Sequence, residues 1–376
     1  MRIGRLGSGE NAESSTMTVL LHTSRLALAD RLADAGLRLL AALHIALAVS
    51  FLLVLAALSP AHAEEPTACG GDNLLTKLER DDPAAFAKLR AEADAVPNGR
   101  NIFWKIEKDG KPASFLLGTM HVTDPRVLAM PEAARKAYAD AATVVVESDE
   151  IADEKKAGAA IMARPDLTMF ADGKSITDFL DKEDTEKLTE GLKGRGLSLA
   201  AVARMKPWMI ASFVALPACE IARKTAGAAF LDQRLAKDAL AEGKSLKGLE
   251  TLLEQISALD SLPLEPQIHG LVQTVELGDT LEDVIETMSQ LYLAGDTGMI
   301  MPMTRAVSPE TDEDAKAYAD FEQRIIVDRN HVMATRAAPI LDGGNVFMAV
   351  GALHLPGPEG VVELLRKEGF TVTAVN

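Results

Sequence analysis

One element occurs twice in the chain and constrains the fold more than any other feature: an apolar strand that ends in Gly-x-x-His. The first copy ends with Gly118 to His121 and the second with Gly351 to His354. Each copy continues with a proline-containing loop, a helix and another strand. Such a repeat is a βαβ unit, which predicts neighbouring parallel strands and a right-handed crossover. The fold class is therefore α/β (α+β), with a mixed sheet built from the two repeats.

The sequence between the two repeats is mostly helical. Periodic alanines and leucines predict helices at 185–195, 207–224, 230–243, 251–262, 281–293 and 314–338. A short strand, Ser245 to Leu249, interrupts them and is expected to join the sheet. Residues 101–106 and 114–117 predict a hairpin at the start of the first repeat. We therefore expect one domain at 101–376 with a helical insertion at about 151–340, preceded by a polar lead-in at 64–100.

The first 63 residues have the features of a secretory signal with an N-terminal extension. Three arginines precede an apolar run from Leu39 to Leu58, and the small-residue triplet Ala61 to Ala63 follows it. This order predicts cleavage after Ala63 and a periplasmic location. The apolar run approaches the roughly 20 residues that span a bilayer, so an uncleaved inner-membrane anchor is the alternative.

The chain contains two cysteines, Cys69 and Cys219. Export would bring both into an oxidising compartment, where disulfides form and persist. We predict that they pair and that the bridge ties the N-terminal tail to a distant helix. Two separate thiols are the alternative.

The charge balance excludes some partners. With 55 acidic and 39 basic residues, the formal charge is −16, which repels nucleic-acid phosphates and gives little attraction to an anionic membrane. Membrane contact is expected only through an uncleaved signal. A peptide or a small molecule is the expected substrate.

Four side chains that can bind a metal or transfer a proton are predicted to follow strand ends. His121 and His354 end the two repeats, Glu147 follows the strand Thr143 to Val146, and Glu250 follows Ser245 to Leu249. Ligands of open parallel sheets gather beyond the carboxyl ends of the strands. The glycines Gly118 and Gly351 are expected to let the backbone turn sharply and approach a ligand closely.

Two neutral imidazoles and a carboxylate suit a divalent metal with open positions for water and substrate. His121, His354 and Glu147 are the candidate ligands, and Glu250 is a candidate general base or fourth ligand. The alternative is that each histidine caps a strand end or satisfies loop carbonyls.

Arg329 lies on a helix stripe that is otherwise apolar and runs from Phe321 to Met333. A charge on a buried stripe needs a partner, and Glu147 or Glu250 is the expected one. Arg329 would then orient a catalytic carboxylate or bind a substrate carbonyl or carboxylate, with Asn330 adding an amide contact beside it. An arginine that reaches solvent at the rim is the alternative.

Five motifs in fixed order resemble the TraB/GumN family, which includes the TIKI proteins. They are Phe115 to His121, Val146–Glu147, Gly248 to Glu250, Arg329–Asn330 and Gly351 to Gly357, and the resemblance covers roughly residues 70–376. It implies metal-dependent proteolysis, with His121, His354 and Glu147 as the active site. Glu250 and Arg329 match further family positions.

The predicted function is hydrolysis of a peptide or other amide bond in the cell envelope, with water activated by Mn, Co or Zn. Glu147, Glu250 and Arg329 are the predicted catalytic residues, and His121, His354 and Glu147 hold the metal. The alternative is a non-catalytic periplasmic protein that captures peptides or small anionic ligands in the same cleft.

Overall fold

The structure is a computed structural model that describes residues 69–171, 173–307 and 311–375. The predicted signal segment, its cleavage site and the alternative anchor lie outside these residues. In the part of the chain that is described, none of the helices combines the length and apolarity needed to cross a membrane.

A six-stranded mixed sheet forms the centre of the described chain. Its strands are β1 (Phe103–Glu107), β2 (Ser114–Thr119), β3 (Thr143–Val146), β4 (Ser245–Gly248), β5 (Val346–Gly351) and β6 (Thr371–Ala374). Their order is β4-β3-β5-β2-β1-β6. Strands β2, β5, β3 and β4 are mutually parallel, whereas β1 runs antiparallel to both β2 and β6. The predicted α/β class and the predicted hairpin are therefore both present.

The strand order differs from the prediction that each repeat joins neighbouring strands. Strand β5 lies between β2 and β3, and β6 pairs with β1 at the edge. The physical reason is burial, because four consecutive residues of β5, Phe347 to Val350, are entirely buried and can only occupy the middle of the sheet. This arrangement brings the two Gly-x-x-His strands side by side, with Gly118 opposite Val350 and Thr119 opposite Gly351.

Helices surround the sheet and fill the insertion. They are α1 (Leu74–Asp81), α2 (Pro83–Asp94), α3 (Pro125–Leu128), α4 (Glu132–Asp140), α5 (Glu154–Met162), α6 (Pro165–Thr168), α7 (Lys182–Lys193), α8 (Leu199–Val202), α9 (Pro207–Val214), α10 (Ala218–Thr225), α11 (Leu231–Ala241), α12 (Leu252–Asp260), α13 (Leu264–Glu276), α14 (Thr280–Leu293), α15 (Ile300–Ala306), α16 (Asp312–Phe321), α17 (Asp328–Leu341) and α18 (Val361–Lys367). The sequence prediction missed α13.

Two apolar layers cover the two faces of the sheet. On one face, Ala134 and Tyr138 of α4 and Leu235 of α11 pack against Phe347. On the other, Met333 of α17 and Leu365 of α18 pack against Met348. Successive residues of β5 therefore point into opposite layers, as the period of a strand requires.

The helix predicted at 207–224 is two helices. It ends at Val214 and restarts as α10 at Ala218, with Pro217 capping the new helix because proline has no N–H to continue the old one. Helix α10 carries Cys219, which forms a disulfide with Cys69 across a Cα–Cα distance of 5.4 Å. The predicted pairing is therefore present in the structure.

The long helix predicted at 314–338 is continuous but irregular. A π-helical turn, Glu322–Val327, joins α16 to α17. Single π turns inside α-helices frequently occur at functional sites, because they change which side chains face the core. Here the turn directly precedes the helix that carries Arg329.

Candidate functional site

The four strand-end residues predicted from the sequence follow four parallel strands. Glu147 comes directly after β3, Glu250 follows β4, and His121 follows β2. His354 ends a short 3₁₀ turn, Ala352–His354, that continues from β5. The chain can turn away directly after Glu250 because Thr251 forms a capping box with Glu254 and starts α12 there.

Glu147 is buried and fully hydrogen-bonded. Its Oε1 accepts from the backbone N–H of Gly351 at 2.7 Å, and its Oε2 accepts from Arg329 at 2.7 Å and from Gln255 at 3.1 Å. The contact with Gly351 joins the end of β3 to the end of the neighbouring β5. The carboxylate is thus fixed by the sheet and by α17 together.

Arg329 lies between the two glutamates. Its Nη2 donates to Glu147 and to Glu250 at 2.7 Å each, and its Nε donates to both oxygens of Glu250 at 3.1 and 3.2 Å. The side chain is only 14% exposed, which rules out an arginine at the rim that mainly contacts solvent. The sequence named Glu147 or Glu250 as the partner, and the structure pairs Arg329 with both.

His354 is held in one orientation by Asn330. The Nδ2 of Asn330 donates to the carbonyl of Glu359 at 2.9 Å, so its Oδ1 is the acceptor for His354 Nδ1, 2.7 Å away. The neutral ring therefore carries its proton on Nδ1. Its Nε2 is therefore unprotonated and lies 3.8 Å from Oε1 of Glu147.

The charges in this pair follow from burial. Burial lowers the pKa of His354 to about 4, outweighing the Glu147 carboxylate, so the imidazole is neutral at pH 7. Burial raises the pKa of Glu147, but His354, His121, Arg329 and the Gly351 amide outweigh it and hold that pKa below its usual range. Because His354 is neutral at pH 7, the groups that stabilise the carboxylate there are His121, Arg329 and the Gly351 N–H.

His121 faces a carboxylate that the sequence did not single out. Its Nε2 lies 3.8 Å from Oδ2 of Asp232, and its ring contacts Phe230 with centroids 5.0 Å apart. Partial desolvation lowers the pKa of His121, but Asp232 and Glu147 outweigh it and raise the pKa above its usual value. The side chain is 55% exposed, so water screens these charges.

Asp232 could have been found by the reasoning used for Arg329. It lies on α11 three, four and seven residues before Leu235, Ala236 and Ala239, which are all buried. A charge on that apolar stripe needs a partner. The Oδ1 of Asp232 accepts from Thr119 Oγ1 at 2.8 Å, directly beside the first Gly-x-x-His motif.

The two motif glycines provide space and do not provide unusual backbone angles. Neither Gly118 nor Gly351 is among the glycines with positive φ, so neither position needs the conformational freedom of glycine. A Cβ on Gly351 would lie 3.1 Å from Oε1 of Glu147, and one on Gly118 would lie 3.1 Å from Ala352. Both glycines thus lie close to other protein atoms, and the predicted close approach to a ligand stays a prediction.

The donor set has the chemistry of a divalent cation site but is arranged as two pairs. His354 with Glu147 and His121 with Asp232 each place an imidazole nitrogen 3.8 Å from a carboxylate oxygen. Across residues 69–171, 173–307 and 311–375, no three or more His, Cys, Asp or Glu side chains lie close enough together to hold one ion. The predicted ligands His121, His354 and Glu147 are therefore near one another, but they are not arranged around a single position where one ion could contact all three.

A cavity of about 490 Å³ opens beside the Arg329 ion pair. Its lining includes Glu250, Arg329, Leu253, Arg324 and Val332. The cavity therefore gives a ligand access to the arginine that bridges the two glutamates.

Two proteins that this chain resembles in sequence are named metalloproteases. The chain is 27% identical to the protein named Metalloprotease TIKI1 of Danio rerio over 72% of this chain and 62% of that protein. It is 25% identical to Metalloprotease TIKI1 of Homo sapiens over 72% of this chain and 61% of that protein. The chain thus spans about three fifths of the length of these curated relatives.

No solved structure was found to match the chain. The family described as TraB/PrgY/gumN matches residues 102–374, which include all six strands and every predicted site residue outside the disulfide. The chain therefore belongs to the TraB/PrgY/gumN family.

Proposed function

We propose that the chain is a metal-dependent hydrolase of peptide or other amide bonds that acts in the cell envelope. The observation that carries the proposal is the pair His354 and Glu147, in which a neutral imidazole held by Asn330 presents a bare Nε2 toward a buried, ionised carboxylate. A histidine held on one nitrogen by an amide or carbonyl oxygen is the usual arrangement for a metal ligand. The curated relatives are named metalloproteases.

His121, His354 and Glu147 are the proposed ligands of a divalent cation, with Mn, Co and Zn as candidates. When bound, such a cation supplies a Lewis acid that activates water and polarises the substrate carbonyl. The chain's own residues set the site: Asn330 selects the ring nitrogen of His354, and the Gly351 amide keeps Glu147 in place.

Arg329 is proposed to bind the substrate carbonyl or its developing charge. The contacts with Glu147, Glu250 and the Ile325 carbonyl use four of its five N–H groups among the described residues. The remaining N–H belongs to Nη1, and Arg329 also lines the cavity of about 490 Å³. A carbonyl in that cavity can therefore accept this hydrogen bond without breaking an existing ion pair.

Glu250 is proposed to hold Arg329 in place. Both of its oxygens accept from the guanidinium, and its side chain is only 3% exposed. A general base needs an oxygen that reaches the water it deprotonates. The geometry thus favours a positioning role over the general-base role that the sequence predicted.

A periplasmic location is part of the proposal. The bond between Cys69 and Cys219 supports it, because structural disulfides persist in oxidising compartments. Cell fractionation is expected to recover the protein in the periplasm, and N-terminal sequencing is expected to begin at Glu64. An intact residue 39–58 segment in the membrane fraction would instead identify an anchored protein.

The function is tested by measuring metal and cleavage on the same protein. Protein purified without chelator is assayed for Mn, Co and Zn by mass spectrometry and for cleavage of a peptide library. We expect bound metal and cleavage in the wild type and loss of both in His121→Ala and His354→Ala. The control is His269→Ala, because His269 pairs with Asp314 away from the site.

The alternative function gives a different result in the same assay. A binding protein would contain no metal and would cleave nothing, yet it would retain labelled peptides or small anions in the cavity beside Arg329. Retention without cleavage in the presence of added Mn, Co or Zn would overturn the proposed hydrolase.

A further inference from the structure

The carboxylate of Asp232 is buried and only half satisfied. The residue is 2% exposed, and its Oδ1 accepts from Thr119 Oγ1 at 2.8 Å. Its Oδ2 is buried and has no hydrogen-bond partner among the described residues. A buried carboxylate oxygen without a donor is costly, so it needs a proton, a water or a cation.

The atom that faces this oxygen is a ring nitrogen. His121 Nε2 lies 3.8 Å from Asp232 Oδ2, which is beyond hydrogen-bond distance. Metal–nitrogen and metal–oxygen bonds to histidine and carboxylate are each about 2.0–2.2 Å long. Two ligand atoms of a tetrahedral ion with such bonds are therefore about 3.3–3.6 Å apart. A movement of a few tenths of an ångström would bring His121 Nε2 and Asp232 Oδ2 to that separation.

The same geometry occurs in the second repeat. His354 Nε2 lies 3.8 Å from Glu147 Oε1, and both atoms belong to buried side chains. The strands that deliver the two histidines are neighbours, with Thr119 opposite Gly351. Both motifs thus place a histidine nitrogen opposite a carboxylate at one edge of the sheet, although the carboxylates come from unrelated elements.

One contact holds Asp232 and another holds His121. Thr119, the residue after Gly118, binds Oδ1 of Asp232, and the Phe230 ring packs against His121. The strand that delivers the histidine therefore also orients the carboxylate. His121 is the exposed member of the site, with 55% of its side chain accessible, so its ring has room to turn toward an ion.

We propose that Asp232 is a ligand of the divalent cation, paired with His121, so that the site consists of two histidine–carboxylate pairs. This inference rests on the proposed metal-dependent function. It adds a second carboxylate, and a set of two imidazoles and two carboxylates suits Mn, Co or Zn.

The test compares Asp232→Asn with Asp314→Asn in the full chain after metal removal. Asparagine keeps an oxygen for Thr119 but places an uncharged amide opposite His121. We expect Co²⁺ affinity, measured by calorimetry, to fall at least about 10-fold in Asp232→Asn. The visible absorption of bound Co²⁺ is also expected to change, because a ligand is lost. Asp314→Asn also removes a carboxylate beside a histidine and is expected to change neither quantity.

The outcomes separate this inference from the proposed function. Wild-type protein that binds no Mn²⁺, Co²⁺ or Zn²⁺ would overturn both. Wild-type binding with unchanged Co²⁺ affinity in Asp232→Asn would overturn only the role of Asp232. Weaker affinity with an unchanged Co²⁺ spectrum would also overturn it, since Asp232 would then act only by positioning His121.

A measurement on the wild type covers the case in which the variant does not fold. Crystals of the wild-type protein loaded with Co²⁺ are examined by anomalous diffraction. A peak within about 2.2 Å of Asp232 Oδ2 supports the proposal, because that is a metal–ligand bond length. A peak bound by His354 and Glu147 but far from Asp232 contradicts it.

Discussion

The Nδ1 atom of His354 lies 2.7 Å from Oδ1 of Asn330, and this contact determines which ring nitrogen faces Glu147. Asn330 is 1% exposed and its amide nitrogen is held by the Glu359 carbonyl, so the amide cannot turn over without losing both bonds. The ring of His354 is thereby presented through Nε2. The residue next to Arg329 thus controls the histidine of a distant motif.

Replacing Asn330 should change the tautomer of His354. In Asn330→Leu the Nδ1–H loses its acceptor, and we expect two-bond ¹⁵N–¹H NMR spectra to show a larger population of the Nε2–H form. Cation affinity should fall about 10-fold to 100-fold, as for other outer contacts of ligating histidines. Asn330→Asp keeps an acceptor and should retain the Nδ1–H form. An unchanged tautomer in Asn330→Leu would show that Asn330 does not determine it.

The sequence predicted where the candidate site residues lie in the fold, because each was placed after a strand or on a helix stripe. Glu147 follows the apolar strand β3 and Glu250 follows the edge strand β4, whereas Arg329 is mostly buried although Val332 of the same predicted stripe is exposed. Asp232 obeys the same rule but was not identified, since α11 has no motif to draw attention to it. Distances between side chains from separate elements were beyond the sequence, so the two-pair arrangement could not be predicted.

The fold was predictable in its elements and less so in their order. Strand positions came from apolar runs bounded by glycine and proline, and all six strands are present. The insertion of β5 between β2 and β3 depends on which strand loses most solvent contact, and this is a property of the assembled sheet. Pro217 marks the break in the sequence, but the helical periodicity on both sides of it led to the prediction of one helix.

Removing the arginine between the two glutamates should destabilise the protein. Arg329→Met leaves Glu147 and Glu250 buried and close to each other without a shared cation. Losing one member of a buried ion pair costs about 3–5 kcal/mol, and we expect a decrease of that size in the free energy of unfolding in urea.

The matched control for this variant is Arg336→Met. Arg336 also pairs with a glutamate, Glu254, but the two side chains are 45% and 44% exposed. Exposed pairs contribute about 0.2–1 kcal/mol, so the control should lose much less stability. Equal losses in the two variants would mean that the buried network contributes no more than a surface ion pair.

The ion pair between Arg126 and Glu286 should make stability depend on pH. Arg126 binds Glu286 at 2.6 and 2.9 Å, and its hydrogen bonds lower the pKa of Glu286 below the usual value of 4.5. A carboxyl whose pKa is lower in the folded than in the unfolded chain stabilises the fold at pH values above its unfolded pKa. This stabilisation is lost as the pH falls through its folded pKa. The contribution is thus present at pH 7 and declines below about pH 4.5.

The variant Glu286→Gln isolates this contribution. At pH 7 we expect it to lower the free energy of unfolding by about 2 kcal/mol, as for a hydrogen bond to a charged group. The difference from wild type should shrink when the urea titrations are repeated at pH 3. A difference that is the same at both pH values would show that protonation of Glu286 contributes nothing.

The two motif glycines should respond differently to alanine. In Gly118→Ala the new Cβ meets Ala352 and Leu355 at 3.0–3.1 Å, inside the contact between the two repeats. Overpacking of this kind costs about 1–3 kcal/mol, so we expect a loss of stability.

In Gly351→Ala the new Cβ meets Oε1 of Glu147 at 3.1 Å and the His354 ring at 3.4 Å. The Glu147 carboxylate relieves this contact only by moving relative to its hydrogen-bond donors, so we expect cation affinity to fall while stability changes less than in Gly118→Ala. Gly158→Ala is the control, because no atom of the described residues would lie within 4 Å of its Cβ and alanine favours the surrounding helix α5 by about 0.5–1 kcal/mol. Equal effects of Gly118→Ala and Gly351→Ala on both stability and cation affinity would contradict the view that one glycine joins the repeats and the other makes room for Glu147.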